Sequence, residues 1–433
     1  MTNIAKHGMR KRKSRLLSKS AESFTPGWVR SDQVLSYQVS QRAVVTEAFY
    51  AHFMAHFTSE GESRDIRNQR TWLHSLPVLT TDGTNEALGL AAQATASAYC
   101  AVESGNMALT QYSWKLYGEA LRAHSRFVSR PYTKQEVTVH MVSTSVLFSL
   151  FEAMQSTNAA AYCSHIFGAV RMLELTTPKQ CSQGALCQIF YHLRTQLTFI
   201  NLTGNNKRIH FQIQGILYGP LRYIELPRFQ TLMGYVSDLV DVYVARKTGA
   251  SQPEPGSHAY TVLERKTEAL WLEYAKDAAD TDKLLFWEDT STDTRHFRDA
   301  FTALVVAYFS VARIILSLIT PRLPNGFSTL SDHYTSILQA SQYLQTHTIG
   351  CAYMRMATPL LLVALHSPEP SQRNQATAYF EGWTQRSMSG VSALALDTIH
   401  RNHLYEPTST RDHDERDALS SDKSTKSPPE VPE

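Results

Sequence analysis

Apolar side chains recur at three- and four-residue steps along most of this chain, and this spacing constrains its fold more than any other feature of the sequence. In segment 109–128 the recurring positions are Leu109, Tyr112, Leu116, Tyr117, Ala120, Leu121 and Phe127. Residues three and four apart share one face of a helix, so this segment predicts an amphipathic helix packed against a core. Similar stripes begin at Val142, Tyr162, Ile189 and Tyr260, whereas no comparable set of alternating strand positions occurs. We therefore predict an all-α fold, a large domain of many helices.

The helical patterns extend over residues 41–405, which we predict to be one all-helical domain. Hydrophobic residues make up 43% of the 433 residues, which is ample for a core. A stretch rich in Pro, Gly and Ser near 247–257 predicts a surface loop. Residues 1–40 form a basic arm and residues 406–433 a tail without aromatic side chains, and both compositions are typical of disorder.

The arm is strongly basic, and the cationic residues that we single out are Arg10, Lys11, Arg12, Lys13, Arg15 and Lys19. Residues 1–20 contain seven Lys and Arg and no carboxylate, which leaves the remaining residues with a net charge of −4 within a total of +3. Such a body is not a basic platform for nucleic acid. Three roles stay open for the arm: a nuclear-import signal, a weak sequence-independent contact to DNA phosphates, or a solubilising tail.

The most apolar window, Phe301–Thr320, is as long as a membrane span. Within it Thr302, Ser310, Arg313 and Ser317 fall on one line of the helix, so a guanidinium lies inside an otherwise apolar cylinder. Because a guanidinium near the middle of a bilayer is costly, we predict a central core helix and no membrane partner.

The cysteines indicate a reducing compartment. The chain has five of them, Cys100, Cys163, Cys181, Cys187 and Cys351. An odd number among apolar neighbours is typical of reduced thiols and not of a disulfide framework. No apolar run of the length of a secretory signal occurs near residue 1, so we expect a cytosolic or nuclear protein.

Histidines give little indication of a metal site. His52 and His56 lie four residues apart, a spacing that can present two imidazoles to one metal, but the glutamate of the zinc-protease pattern is missing between them. Surface histidines are the favoured interpretation. No nucleophile elbow, glycine-rich phosphate loop or HExxH pattern occurs either, so we predict no catalytic residue, no metal and no cofactor.

An acidic group leaves one enzymatic alternative open. Asp277, Asp280 and Asp282 precede Trp287, and all-α terpenoid cyclases use aspartate groups to hold magnesium and a diphosphate. Here the group lies in a polar stretch without adjacent paired carboxylates or a second metal motif, which favours a solvated loop.

His165 is the most interesting single residue, because it shares a helix with Tyr162 and Ala169 close to a buried stripe. A hydrogen-bonded core histidine is the favoured interpretation, and contact with an effector is the alternative.

Three segments around this residue form a pattern: Tyr117–Leu121, then Leu150–Met154, then Tyr162–Leu173. Together they resemble the middle homology region of fungal binuclear zinc-cluster transcription factors. In that family a tyrosine-containing helix is followed by a longer helix, then by an aromatic residue, a histidine and a Gly-Ala pair. Three further features of this chain resemble later parts of the same region. They are Phe190 with Arg194, the helix that contains Arg313, and Trp383. The resemblance spans roughly residues 40 to 400 and implies a helical regulatory domain.

The DNA-binding module that defines this family holds two zinc ions with six cysteines in a short segment. This chain has five cysteines, of which the first is Cys100, so we predict no zinc cluster within these 433 residues. The basic arm resembles the linker that follows the zinc cluster in such factors, and such a linker contacts phosphates without reading bases.

The resemblance implies a nuclear transcription regulator, and we carry three hypotheses about its function. The first is a regulator of a fungal secondary-metabolite gene cluster, with other transcription regulators or a second copy of itself as partners. The second is a co-regulator that binds no DNA and sequesters a related factor. The third is the magnesium-dependent all-α enzyme.

Overall fold

A computed structural model describes residues 46–57, 71–129, 136–155, 159–176, 184–204, 228–249, 258–280, 284–289, 294–319, 330–346, 354–385 and 388–405. These residues belong to one compact unit, and they confirm the all-α prediction. The predicted disordered arm and tail lie outside the described residues, as does most of the predicted loop near 247–257.

Helices make up nearly all of the described residues. The first are α1 (46–57), a 3₁₀ turn at Trp72–Ser75, α2 (Leu76–Thr81), α3 (Glu86–Ser104), α4 (Met107–Val128), α5 (Val139–Gln155), α6 (Ala159–Glu174) and α7 (Gly184–Thr203). They are followed by α8 (Arg228–Lys247), α9 (His258–Ala279), α10 (Ala300–Ile319), α11 (Leu330–Thr346), α12 (Ala357–His366), α13 (Pro370–Thr384) and α14 (Ser389–Tyr405).

Two asparagines and a glycine define the hairpin of α3 and α4. Asn85 and Asn106 precede the two helices, and each side chain accepts hydrogen bonds from backbone N–H groups of the first turn. Gly105 ends α3 with a φ of 61°, a left-handed conformation that costs glycine nothing. The chain therefore reverses within two residues, and α4 packs along α3.

Helices α5 and α10 are buried on nearly every side. Every residue from Met141 to Met154 of α5 is buried, since this helix packs against α3, α4, α6 and α14. The sequence predicted only one apolar stripe on α5, because a stripe marks the most apolar face and does not show that serines on the other faces are also covered.

Helix α10 has the length and apolarity of a membrane span, yet 83% of its most apolar window is buried inside the protein. Its arginine is paired, because Arg313 Nη2 donates to Glu268 Oε2 at 3.2 Å and the guanidinium lies 5.1 Å from the ring centre of Trp271. The line of α10 that contains Arg313 thus faces α9, as expected for a core helix.

A short hairpin is the one departure from helix in the described residues that the sequence did not predict. Strands β1 (Phe286–Asp289) and β2 (Thr294–Phe297) pair antiparallel, and Phe297 is buried against Tyr343 of α11 at 5.4 Å between ring centres. Each strand has only four residues, which is too few for a two-residue period to stand out in a sequence.

Candidate functional site

The three segments that carry the family resemblance meet at one place in the core. The Tyr117 hydroxyl of α4 donates to Glu152 Oε1 of α5 at 2.7 Å, and it lies 2.8 Å from His165 Nε2 of α6. Tyr117 is separated from these two partners by 35 and 48 residues of chain. We call these three residues the Tyr–Glu–His cluster.

The cluster follows from how its helices are buried. Tyr117 lies on the apolar face of α4, which packs against α3 and α5. Glu152 lies in a helix that is covered on all sides and is only 3% exposed. A carboxyl group removed from water needs hydrogen-bond partners, or it costs several kcal/mol. Tyr117 supplies such a partner for Glu152.

Aromatic rings pack around the shared hydroxyl. The Tyr117 ring stacks on Phe151 with ring centres 4.2 Å apart and an angle of 4° between the planes. Phe148 contacts Tyr117 edge-on at 5.3 Å. Pairs of this kind contribute about 0.5–1.5 kcal/mol beyond the area they bury. They also hold the phenol in one orientation, so the hydroxyl stays aimed at Glu152.

Burial keeps Tyr117 and His165, the two residues of the cluster whose pKa values are shifted, in their neutral forms. Burial, followed by the Glu152 carboxyl, raises the pKa of Tyr117 far above its usual value, so the hydroxyl keeps its proton. Burial lowers the pKa of His165 to about 4, so its ring is uncharged at neutral pH. With the Tyr117 proton directed at Glu152, the Tyr117 oxygen is free to accept a hydrogen bond from the His165 tautomer that has its proton on Nε2.

A second histidine extends this polar region. His124 Nε2 lies 3.1 Å from Ser145 Oγ, and the Phe148 ring contacts both His124 and His165 at 5.6 and 5.2 Å between ring centres. Burial, and then the proximity of His165, lower the pKa of His124 to about 4. The two imidazoles are therefore neutral together.

Helix α14 packs against the part of α5 that carries Glu152 of the cluster. Ser389 Oγ at the start of α14 donates to the Met154 carbonyl at 2.8 Å, which satisfies a carbonyl in the last turn of α5. At Gly390 the two backbones are in direct contact: a Cβ atom there would lie closer than 3.0 Å to the Glu152 carbonyl oxygen. Helix α14 therefore packs on the backbone that carries Glu152.

This arrangement has the chemistry of a structural hydrogen-bond network. Its polar groups bond to one another, and closely packed rings surround them. Within the described ranges, no group of three or more His, Cys, Asp or Glu residues is placed to hold a metal ion. His165 takes the role of a hydrogen-bonded core histidine, whereas its contact with an effector stays a prediction.

The other predicted site residues have separate surroundings. Arg10, Lys11, Arg12, Lys13, Arg15 and Lys19 lie outside the described residues. His52 is exposed and His56 is half-buried against Tyr99, with ring centres 4.7 Å apart. Burial, and then the charge of His52, lower the pKa of His56 to about 4. Cys100, Cys163 and Cys187 form no disulfide within the described residues, and the remaining two cysteines lie outside them.

One carboxylate of the acidic group, that of Asp277, is already paired with a cation of the protein. Asp277 of α9 forms an ion pair with Arg228 of α8, and Arg228 Nη2 also lies 2.8 Å from Glu273 Oε1. Asp280 is exposed at the end of α9, and Asp282 lies outside the described residues. A carboxylate held by a guanidinium is a poor ligand for magnesium, because the metal would have to displace the arginine.

The remaining positions of the resemblance also have structural roles. The Arg194 guanidinium lies 5.9 Å from the Phe190 ring centre, and its Nη2 donates to the Gln230 side chain at 3.0 Å. Trp383 is 3% exposed and packs edge-on against Phe380.

Two residues of this site were missed in the sequence. Glu152 had a detectable signal, since it is the one charged residue in the apolar run 139–155. Gly390 had no detectable signal, because the residues around it in the sequence do not show that the backbone of a distant helix contacts it.

Comparisons with protein-family models, with curated proteins and with solved structures gave no match to this chain. The resemblance to fungal zinc-cluster regulators therefore depends on the quoted motifs alone, and it stays a prediction.

Proposed function

We propose that this protein is a transcription regulator whose helical body is an interaction and control module. The observation that carries the proposal is the convergence of Tyr117, Glu152 and His165 at hydrogen-bond distance. These residues come from the three motifs that resemble the regulator family.

In this proposal the protein acts in the nucleus and controls a set of fungal biosynthetic genes. Its partners are other transcription regulators or a second copy of this chain. The basic arm, residues 1–40, supplies nuclear import and a weak contact to DNA phosphates, which would weaken as salt rises.

Transcript profiling after deletion of the gene tests the proposal. We expect coordinated changes in a contiguous group of biosynthetic genes, restored by the wild-type gene. Unchanged transcripts under conditions in which the protein is made would refute gene control. If the transcripts change, a reporter driven by the full chain fused to an unrelated DNA-binding module separates the two regulatory hypotheses. Reporter activity indicates a direct regulator, whereas an inactive fusion that co-purifies with a related factor indicates sequestration.

The arm has a test of its own. We expect that substitution of Lys11, Arg12, Lys13 and Arg15 by alanine lowers nuclear accumulation of a fluorescently tagged chain. The control is alanine at Lys423 and Lys426 in the tail, which should leave the distribution unchanged. Equal nuclear signal from the arm variant and the control would exclude import as the role of these residues.

A further inference from the structure

A cleft of about 350 Å³ lies between the last turn of α11 and one face of α13. Its lining consists of three glutamines, two aromatic residues and two small residues: Gln345, Gln375, Gln385, Tyr379, Trp383, Ala378 and Gly382. We call it the α11–α13 cleft. Its volume is at the lower end of the range for sites that bind small molecules, which is about 300–1,000 Å³.

Helical spacing brings the lining together. Residues 375, 378, 379, 382 and 383 follow one another at three- and four-residue steps, so they share one face of α13. Gln345 approaches from α11, and Gln385 follows the end of α13. Gly382 contributes no side chain, and a Cβ atom at this position would meet nothing within 4 Å. The space above its backbone is therefore part of the cleft.

The floor is rigid and partly aromatic. Trp383 is almost fully buried and packs edge-on against Phe380 with ring centres 5.2 Å apart. Tyr379 is only partly buried, so part of its ring is open to the cleft. A planar ring can stack on such a surface, and stacking of a nucleobase on an aromatic side chain contributes about 1–3 kcal/mol.

The walls offer neutral donors and acceptors. Each of the three glutamines is exposed, and a primary amide carries an N–H donor beside a carbonyl acceptor. Such an amide forms two hydrogen bonds with a ligand edge that has the complementary acceptor and donor, as glutamine does with adenine. None of the described residues that line the cleft is charged, so this lining favours a neutral ligand over an ionic one.

From this chemistry we propose that the α11–α13 cleft binds a small neutral ligand that has a planar ring and an amide-like edge. Nucleosides and lactam heterocycles belong to this class. The planar ring lies against Tyr379, and the edge pairs with the glutamine amides. Binding at this cleft is independent of whether the chain regulates transcription.

Adenosine is a suitable probe, and N6,N6-dimethyladenosine is its matched control because methylation removes the donor and keeps the ring. Titration calorimetry with the full chain should give adenosine an affinity about tenfold above that of the dimethyl compound, the effect of roughly one hydrogen bond. Equal affinities, or no binding of adenosine at millimolar concentration, would overturn the proposal. Adenosine monophosphate should bind no tighter than adenosine, and tighter binding would place the probe at a cationic site elsewhere.

Protein variants locate the site. Gly382→Leu fills the cleft and should abolish adenosine binding, while a leucine in mid-helix is favourable for α13. Gln375→Glu keeps the side-chain size, removes the amide donor and should weaken adenosine about tenfold. Gln342→Glu changes an exposed glutamine of α11 outside the lining and should leave the affinity unchanged. Wild-type affinity in both cleft variants would show that adenosine binds elsewhere and would refute the assignment.

Discussion

Gly390 provides the sharpest test of the packing described above. It lies at the start of α14, where the helix touches the backbone of α5. In Gly390→Ala the added methyl group would approach the Glu152 carbonyl oxygen closer than 3.0 Å and the Ala153 Cα at 3.1 Å. Both neighbours are backbone atoms of a buried helix, so neither can rotate away as a side chain would. The two helices must move apart.

The magnitude follows from two opposing effects. Overpacking in a well-packed core costs about 1–3 kcal/mol. Replacing glycine by alanine inside a helix contributes up to about 1 kcal/mol in the other direction, and less in the first turn. The steric effect is the larger one, so we expect Gly390→Ala to lower the free energy of unfolding by about 1–2 kcal/mol.

Equilibrium urea unfolding followed by circular dichroism measures this difference. Gly382→Ala is the matched control, because it is the same substitution at a helical position where a Cβ atom meets nothing within 4 Å. We expect the control to raise the free energy of unfolding by about 0.5–1 kcal/mol, so the two variants move the urea midpoint in opposite directions. A Gly390→Ala midpoint equal to or above wild type would refute the close packing of α14 on α5.

Three further predictions concern the buried polar groups and the acidic group. Tyr117→Phe removes the hydroxyl that Glu152 uses, and we expect the free energy of unfolding to fall by about 1–3 kcal/mol in urea unfolding. The free energy of unfolding should also decline as the pH falls from 6.5 toward 4. His124 and His165 have folded-state pKa values of about 4, so they take up protons when the chain unfolds in this pH range. Urea midpoints at about pH 7 and about pH 5 measure this decline. Magnesium with a prenyl diphosphate should leave the thermal midpoint unchanged, because Asp277 is already paired with an arginine.

Each of these three predictions would be contradicted by a specific result. A Tyr117→Phe variant as stable as wild type would mean that the carboxyl does not need the phenol. Four other histidines that are buried or half-buried also have lowered pKa values, namely His56, His192, His333 and His366. We therefore expect His124→Asn to reduce the pH dependence and not to abolish it, and stability that rises on acidification would contradict the argument. A higher thermal midpoint with magnesium and the diphosphate would favour the enzyme hypothesis.

The sequence predicted some tertiary features because they leave a local pattern. The arginine in the apolar run of α10 indicated a core helix, and Arg313 is indeed paired with Glu268 inside the protein. The stripe from Leu109 to Phe127 placed Tyr117 on a buried face, where the structure has it. In both cases one helix alone contains the information, since burial of a face follows from its own composition.

Features between elements left no such pattern. The hairpin of β1 and β2 is too short for its period to be recognised, and the extent of burial of α5 depends on the helices that pack around it. The α11–α13 cleft depends on how two helices, neither of which has an unusual sequence, lie beside each other.

The amino-acid sequence by itself determined that this protein is helical and where many of its helices pack, because helical hydrogen bonds join residues four apart and an apolar face repeats on that same scale. Only the tertiary structure decided that Tyr117 reaches Glu152 and His165, and that Gly390 touches the backbone of α5. Those contacts join residues that are far apart in the chain. They depend on which faces of different helices pack together, and periodicity within one helix contains no information about that choice.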